Sequence, residues 1–133
     1  MATILIIDDD GDVLDTLALV LEEAGHTILT ASSGADGARM FRDLRPDLVV
    51  TDMVMPRSDG IEAIQTIRGD DPAARIIAIS GDSSPGQGDY LKLAIQTGAM
   101  AALPKPFEAD EFLSIVNSCL AATPAGKAPG PPQ

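Results

Sequence analysis

Acidic side chains stand directly after two apolar runs of the chain. Asp8–Asp10 follow the run Thr3–Ile7, and Asp52 follows the run Asp47–Thr51. Carboxylates that lie close together repel one another, and a hard divalent cation relieves this repulsion; Mg²⁺ prefers a few carboxylates, backbone oxygens and waters. A carboxylate beside such a metal can act as a nucleophile and form an acyl phosphate. The two acidic segments therefore predict a cation site suited to phosphoryl chemistry.

A hydroxyl and an amine follow two later apolar runs. Ser80 comes after the run Arg75–Ile79, and Lys105 comes shortly after the run Met100–Leu103. Phosphoryl oxygens need hydrogen bonds and positive charge, which these two side chains supply. Taken singly, Ser80 reads as an ordinary loop residue, Lys105 as a surface lysine and Asp52 as a turn acid. Their joint occurrence at the ends of four apolar runs favours one shared site.

The elements that must position these side chains are strands alternating with helices. Four of the apolar runs are short and rich in Ile, Leu and Val, as buried parallel strands are, and the fifth is rich in Ala. Five strand–helix repeats predict an α/β domain whose parallel sheet is covered on both faces. In such folds the functional site lies at the carboxyl ends of the strands. The predicted strands are Thr3–Ile7, Thr27–Thr30, Asp47–Thr51, Arg75–Ile79 and Met100–Leu103.

The helices are predicted from apolar residues at helical spacing. The first stripe ends at Gly25 and the fourth is followed by Gly98, and glycine commonly caps the end of a helix. Acidic residues stand near the start of the fifth helix, where the positive end of the helix dipole stabilises them. The helical segments are Val13 to Ala24, Gly34 to Leu44, Ile61 to Ile67, a segment through Leu91 and Ile95, and Phe112 to Leu120.

Composition limits the partners and the setting. Twenty acids stand against nine bases, giving a formal charge of −11. A strongly acidic domain is repelled by nucleic acid and by anionic membranes, so neither is an expected partner. No apolar run approaches the roughly 20 residues needed to span a membrane. Cys119 is the only cysteine, which indicates a cytoplasmic setting and a core position on the last helix. We expect one domain over residues 1–122 and a disordered, Pro- and Gly-rich tail over 123–133.

Four motifs in order resemble the receiver domain of two-component response regulators, the CheY-like family. They are Ile4–Asp10, Asp47–Pro56 with Asp59-Gly60, Ile76–Ser80 and Lys105–Phe107, and the resemblance covers about residues 3–121. It implies a doubly wound, flavodoxin-like sheet of five parallel strands in the order 2-1-3-4-5 with five helices. It also implies a stand-alone phosphoacceptor that signals through protein contacts rather than an enzyme, with a monomer as the default state.

The resemblance further implies a role for each site residue. Asp52 would accept a phosphoryl group from the phosphohistidine of a histidine kinase or a histidine phosphotransfer protein. Asp9, Asp52 and the backbone carbonyl of Val54 would bind Mg²⁺, and Asp8 would hold it through a water. Ser80 and Lys105 would bind phosphoryl oxygens.

Two alternatives remain open at this stage. The first is a receiver-like binding module that is never phosphorylated; it is favoured by Ala102, which stands where most relatives have Tyr or Phe. The second is a phosphohydrolase of the haloacid-dehalogenase type, in which Asp8 would be the nucleophile and Asp10 the acid. The second alternative leaves the segment from Asp52 to Gly60 without a role. The downstream target is not indicated by the sequence.

Overall fold

A computed structural model of the chain describes residues 2–53, 60–80, 87–104 and 107–121. These residues form five strands that alternate with five helices, as the sequence predicts. Lys105, Val54 and the predicted tail 123–133 lie outside the described residues. The elements are β1 (Thr3–Ile7), α1 (Gly11–Glu23), β2 (Thr27–Ala31), α2 (Gly34–Leu44), β3 (Leu48–Asp52), α3 (Gly60–Asp70), β4 (Ile76–Ser80), α4 (Gln87–Thr97), β5 (Ala101–Pro104) and α5 (Ala109–Ala121).

The strands form one parallel sheet in the order β2-β1-β3-β4-β5. This confirms the predicted doubly wound topology. Some predicted bounds are wrong by one residue: β2 ends one residue later than predicted, and β3, β4 and β5 each begin and end one residue later. At the ends of β3 and β4 the reason is that the backbone of the polar residues Asp52 and Ser80 still pairs with a neighbouring strand. At the other end of β3, Asp47 lies outside the strand, and its carboxylate accepts a hydrogen bond from the Thr3 amide at 2.8 Å.

Helices cover both faces of the sheet, so side chains that alternate along each strand enter two separate cores. We call these the α1–α5 core and the α2–α4 core. The buried residues of the α1–α5 core are Ile4, Ile6, Leu17, Leu21, Leu48, Val50, Ile77, Ile79, Leu103, Phe112, Val116 and Cys119. Those of the α2–α4 core are Leu5, Ile7, Ala31, Ala38, Phe41, Val49, Met53, Ile64, Ile67, Ala74, Ile76, Ala78, Ala94 and Ala99.

Capping residues define where the helices begin and end. Asp10 caps the start of α1, and Ser33 caps the start of α2 by accepting a hydrogen bond from the Asp36 amide. Gly25 and Gly98 follow α1 and α4 with φ angles of 98° and 140°, which glycine adopts without strain. The glycines predicted to follow these two helices are therefore confirmed, and α1 itself ends at Glu23, one residue before the predicted Ala24.

Two further predictions can be compared with the described part of the chain. Cys119 is buried on α5, as predicted. None of the described helices combines the length and the apolar character that crossing a bilayer requires.

Candidate functional site

The site lies at the carboxyl edge of the sheet, where β1 lies beside the central strand β3. Ile7 at the end of β1 pairs with Thr51 in β3, so Asp8 comes level with Asp52. The two acids are far apart in sequence, and they are neighbours because β3 lies directly beside β1. The sheet topology therefore builds the acidic cluster that the sequence predicts.

Three carboxylates converge at this edge. Asp8, Asp9 and Asp52 each offer an oxygen atom, and these atoms all lie within 4.8 Å of one another. Asp8 and Asp52 are only 2% and 7% exposed, whereas Asp9 is exposed to solvent. Burying two carboxylates beside a third is electrostatically costly unless a cation compensates their charge. The cluster is consequently a strong candidate for a metal site.

The donor set fits a hard divalent cation. All three groups are carboxylates, and Mg²⁺ and Ca²⁺ bind oxygen ligands in preference to nitrogen or sulfur. Mg²⁺ commonly uses one or two carboxylates and completes its coordination with waters or substrate oxygens. Because Asp9 is exposed, the cluster is open to solvent on one side and could accept such additional ligands.

The backbone around the two buried acids is held by hydrogen bonds to neighbouring elements. The Asp8 amide donates to the Ala31 carbonyl at 3.1 Å, which ties the end of β1 to β2. The Met53 amide donates to the Ile79 carbonyl at 2.8 Å, which extends the β3–β4 pairing just past Asp52. The two acids are thus anchored to the rigid part of the sheet rather than to loose loops.

Asp10 has a role different from that of its two acidic neighbours. Its side chain accepts hydrogen bonds from the Asp12 and Val13 amides, at 3.0 and 3.4 Å, and so caps α1. The phosphohydrolase alternative requires this residue to be a catalytic acid. The geometry is that of the cap, which is a common position for Asp.

The remaining predicted site residues are described only in part. Ser80 is the last residue of β4, and its backbone is paired with Pro104 at the end of β5. Both residues lie at the same edge of the sheet as Asp52, because Asp52 pairs with Ile79. The Ser80 side chain, together with Lys105 and Val54, falls outside the described part of the structure. Their side-chain positions therefore remain predictions.

Ala102 occupies the middle of β5 and faces the α2–α4 core. It is half-buried and pairs with Ala78 of β4. The neighbouring helix contributes Ala94, and Ala99 follows that helix, so this corner of the molecule is built from small side chains. The position where most relatives have an aromatic ring thus holds a small side chain, and its strand partner Ala78 is small as well.

Comparison with known proteins identifies the family. Residues 4–117 match the model of the response regulator receiver domain, and the chain belongs to this family. Receiver domains are signalling proteins of two-component systems rather than enzymes in the usual sense, and CheY-like members interact with kinases and downstream targets. The family assignment removes the phosphohydrolase alternative, in agreement with the capping role of Asp10.

Individual relatives are similar along most of the chain. The chemotaxis protein CheY of Bacillus subtilis is 36% identical over 118 residues, which are 88% of this chain and 96% of CheY. Protein PilH of Pseudomonas aeruginosa is 33% identical over 121 residues, covering 91% of this chain and 99% of PilH. Among solved structures, a receiver domain protein from Clostridium thermocellum has a TM-score of 0.84 and 34% identity, and the match covers 90% of this chain and 94% of that one.

Proposed function

We propose that the protein accepts a phosphoryl group on Asp52 in a Mg²⁺-dependent reaction with a histidine kinase or a histidine phosphotransfer protein. The observation that carries the proposal is the convergence of Asp8, Asp9 and Asp52, two of them buried, on one point at the carboxyl edge of the sheet. Membership of the receiver family supports the same chemistry.

Each residue has a distinct part in the proposed reaction. A carboxylate oxygen of Asp52 attacks the phosphorus of the phosphohistidine; the new O–P bond replaces the N–P bond, whose electron pair returns to the imidazole. Asp9, Asp52 and the Val54 carbonyl would bind Mg²⁺, and Asp8 would hold it through a water. When bound, the ion supplies positive charge that offsets the negative charge of the phosphoryl oxygens. Ser80 and Lys105 bind the same oxygens.

The product is a signal rather than a released chemical. An acyl phosphate on Asp52 adds charge at the edge of the sheet, and the phosphorylated form acts through a protein partner. A second candidate, the binding module that is never phosphorylated, is favoured only by the alanine at position 102, where most relatives have an aromatic residue. That alternative gives no purpose to the buried acids, so we place phosphoryl acceptance first.

The proposal is tested by incubating the purified protein with acetyl phosphate, with and without Mg²⁺, and by measuring the intact mass. We expect a single phosphoryl adduct that requires the metal and that disappears in the Asp52→Asn variant. Asp43→Asn is a matched control, because Asp43 is an exposed acid on α2 and its loss should leave the adduct unchanged.

The possible outcomes separate the candidates. An adduct that persists in Asp52→Asn would place the phosphoryl group elsewhere and contradict the proposal. Absence of any adduct, both with acetyl phosphate and with a phosphorylated histidine phosphotransfer protein as donor, would favour the binding module.

A further inference from the structure

We propose that Asp10 is a positioning residue that sets the orientation of Asp8 and Asp9 toward the bound cation. The inference rests on the proposed function, because it assigns a role within that metal site. Asp10 is not placed in the carboxylate cluster, and its own side chain is engaged in capping α1. Its influence would therefore reach the site through the backbone.

The first link is a hydrogen bond from Asp10 to Asp8. The Asp10 amide donates to Oδ1 of Asp8 at 2.9 Å, across a turn that contains Asp9. Such Asp-to-backbone contacts two residues apart stabilise turns. Here the bonded carboxylate is 2% exposed and belongs to the cluster, so the Asp10 amide holds one oxygen of a candidate metal ligand in place.

The second link fixes Asp10 itself. Oδ1 of Asp10 accepts hydrogen bonds from the Asp12 and Val13 amides, and the Asp10 carbonyl accepts one from the Leu14 amide at 3.0 Å. Its backbone is extended, with φ −96° and ψ 109°, while the next residue is already helical. The amide, the carboxylate and the carbonyl of Asp10 are therefore all engaged, and together they join the first turn of α1 to Asp8.

The consequence falls on Asp9 as well as on Asp8. The turn is anchored before Asp9 by the bond from the Asp8 amide to Ala31, and after it by the four hydrogen bonds of Asp10. Asp9 is an exposed ligand, so burial does little to restrict its side chain. The path of the backbone through the turn is then the main constraint on where its carboxylate can lie.

The cap can be separated from the charge of Asp10 by substitution. Asn and Asp stabilise a helix about equally well at the N-cap position, whereas the side chain of Ala cannot accept the capping hydrogen bonds. Asp10→Asn therefore removes the negative charge and keeps the cap, while Asp10→Ala removes both. A loss of helix stability in general is reproduced by Ser33→Ala, which removes the cap of α2 at a position outside the carboxylate cluster.

The experiment is a Mg²⁺ titration of the full chain followed by nuclear magnetic resonance, using the amide signals of residues 8 to 12, well below the unfolding temperature. We expect Asp10→Ala to weaken Mg²⁺ binding roughly tenfold, the lower end of what lost support around metal ligands typically costs. The variant keeps the amide that bonds to Asp8 but loses the capping bonds that fix this amide in place. Asp10→Asn and Ser33→Ala should bind Mg²⁺ within about twofold of the parent protein, because each leaves the Asp8–Asp10 turn capped.

Each other result overturns the inference in a recognisable way. Equal binding by Asp10→Ala and the parent protein would show that the cap does not position the ligands, and it would leave the proposed function intact. Equal weakening by Asp10→Asn would assign the effect to charge, and equal weakening by Ser33→Ala would assign it to general loss of stability. Failure of the parent protein to bind Mg²⁺ at all would remove both the inference and the metal dependence of the proposed function.

Discussion

The two faces of the sheet are packed with side chains of different size. In the described part of the chain, the buried residues of the α1–α5 core are all Val, Leu, Ile, Phe or Cys. The buried residues of the α2–α4 core include six alanines, and the buried Gly37 of α2 lies directly against Ile7. Large side chains therefore fill the space between the first face and its helices. On the second face, small residues allow the helices to lie closer to the sheet.

This difference predicts opposite sensitivities to mutation. A face filled by large side chains loses stability when a side chain is shortened, because a cavity remains. A face packed on small residues loses stability when atoms are added, because the interior has no free volume to receive them. Substitutions on the two faces should consequently differ in kind, which a truncation on the first face and an enlargement on the second can test.

The largest effect is expected for Phe112→Ala in the α1–α5 core. Phe112 is fully buried on α5, and the centroid of its ring lies 5.6 Å from the centroid of the Phe107 ring. Truncation should lower the free energy of unfolding by about 3–5 kcal/mol. Chemical denaturation checks this value, and Phe107→Ala is the control, since its half-buried ring should cost clearly less. Equal losses in the two variants would contradict the claim that large, fully buried side chains carry the stability of the α1–α5 core.

An intermediate effect is expected for Gly37→Ala on the opposite face. A Cβ atom at position 37 would lie 2.3 Å from Cδ1 of Ile7, and Ile7 is fully buried. We expect a loss of about 1–3 kcal/mol from overpacking. The measurement is again the free energy of unfolding by denaturation.

Two further variants sharpen this result. Ile7→Val removes the nearest atom, so Gly37→Ala should cost less in that background, with a coupling energy of at least about 0.5 kcal/mol. Gly69→Ala places a Cβ in open space on α3 and should stabilise the protein by up to about 1 kcal/mol. Ala has the higher helix propensity and position 69 has open space, so destabilisation by Gly69→Ala as large as that of Gly37→Ala would show that the loss at position 37 is not specific to contact with Ile7.

The smallest effect concerns Cys119 and depends on pH. Burial in the α1–α5 core raises the pKa of its thiol above the ordinary value of 9.0, and the positive charge of Arg75 opposes this shift in part. The unfolded chain therefore ionises first as pH rises. The stability that comes from the neutral thiol is complete below about pH 9 and is lost as pH rises through the folded-state pKa.

The corresponding measurement compares the parent protein with Cys119→Ala by denaturation at about pH 8 and about pH 10. The parent protein should lose more stability over this interval, since only it carries the titrating thiol. Identical losses would mean that the thiol is not held in an apolar environment, and the α1–α5 core would then be less completely closed than its other side chains indicate.

The fold could be predicted from the sequence because buried parallel strands appear as short apolar runs, and because glycines mark the ends of α1 and α4. The residues at which the strands end were harder to predict from the sequence. Asp52 and Ser80 have polar side chains and look like loop residues, yet strand pairing depends on the backbone and continues through them. The difference is one residue, and it leaves Asp52 on the rigid edge of β3 rather than in the loop that follows.

Two features of the site and its surroundings could not be predicted from residue types alone. A carboxylate after a strand suits both a metal ligand and a helix cap, so Asp10 could be assigned only from its distances to the Asp12 and Val13 amides. An Asp shortly before the first apolar helical residue is compatible with a cap but does not distinguish it from a ligand. Gly37 likewise reads as a weak helix residue until its contact with Ile7 is known.

The pairing of β1 with β3 has a consequence for how the protein is made. Asp8 leaves the ribosome early and Asp52 much later, after two helices and a strand have intervened. Until β3 pairs beside β1, the two carboxylates are far apart on average and do not interact electrostatically. The acidic cluster is therefore a property of the completed sheet, and a cation that binds it acts selectively on the finished molecule by mass action. A nascent or unfolded chain lacks the cluster and would not be stabilised by the same ion.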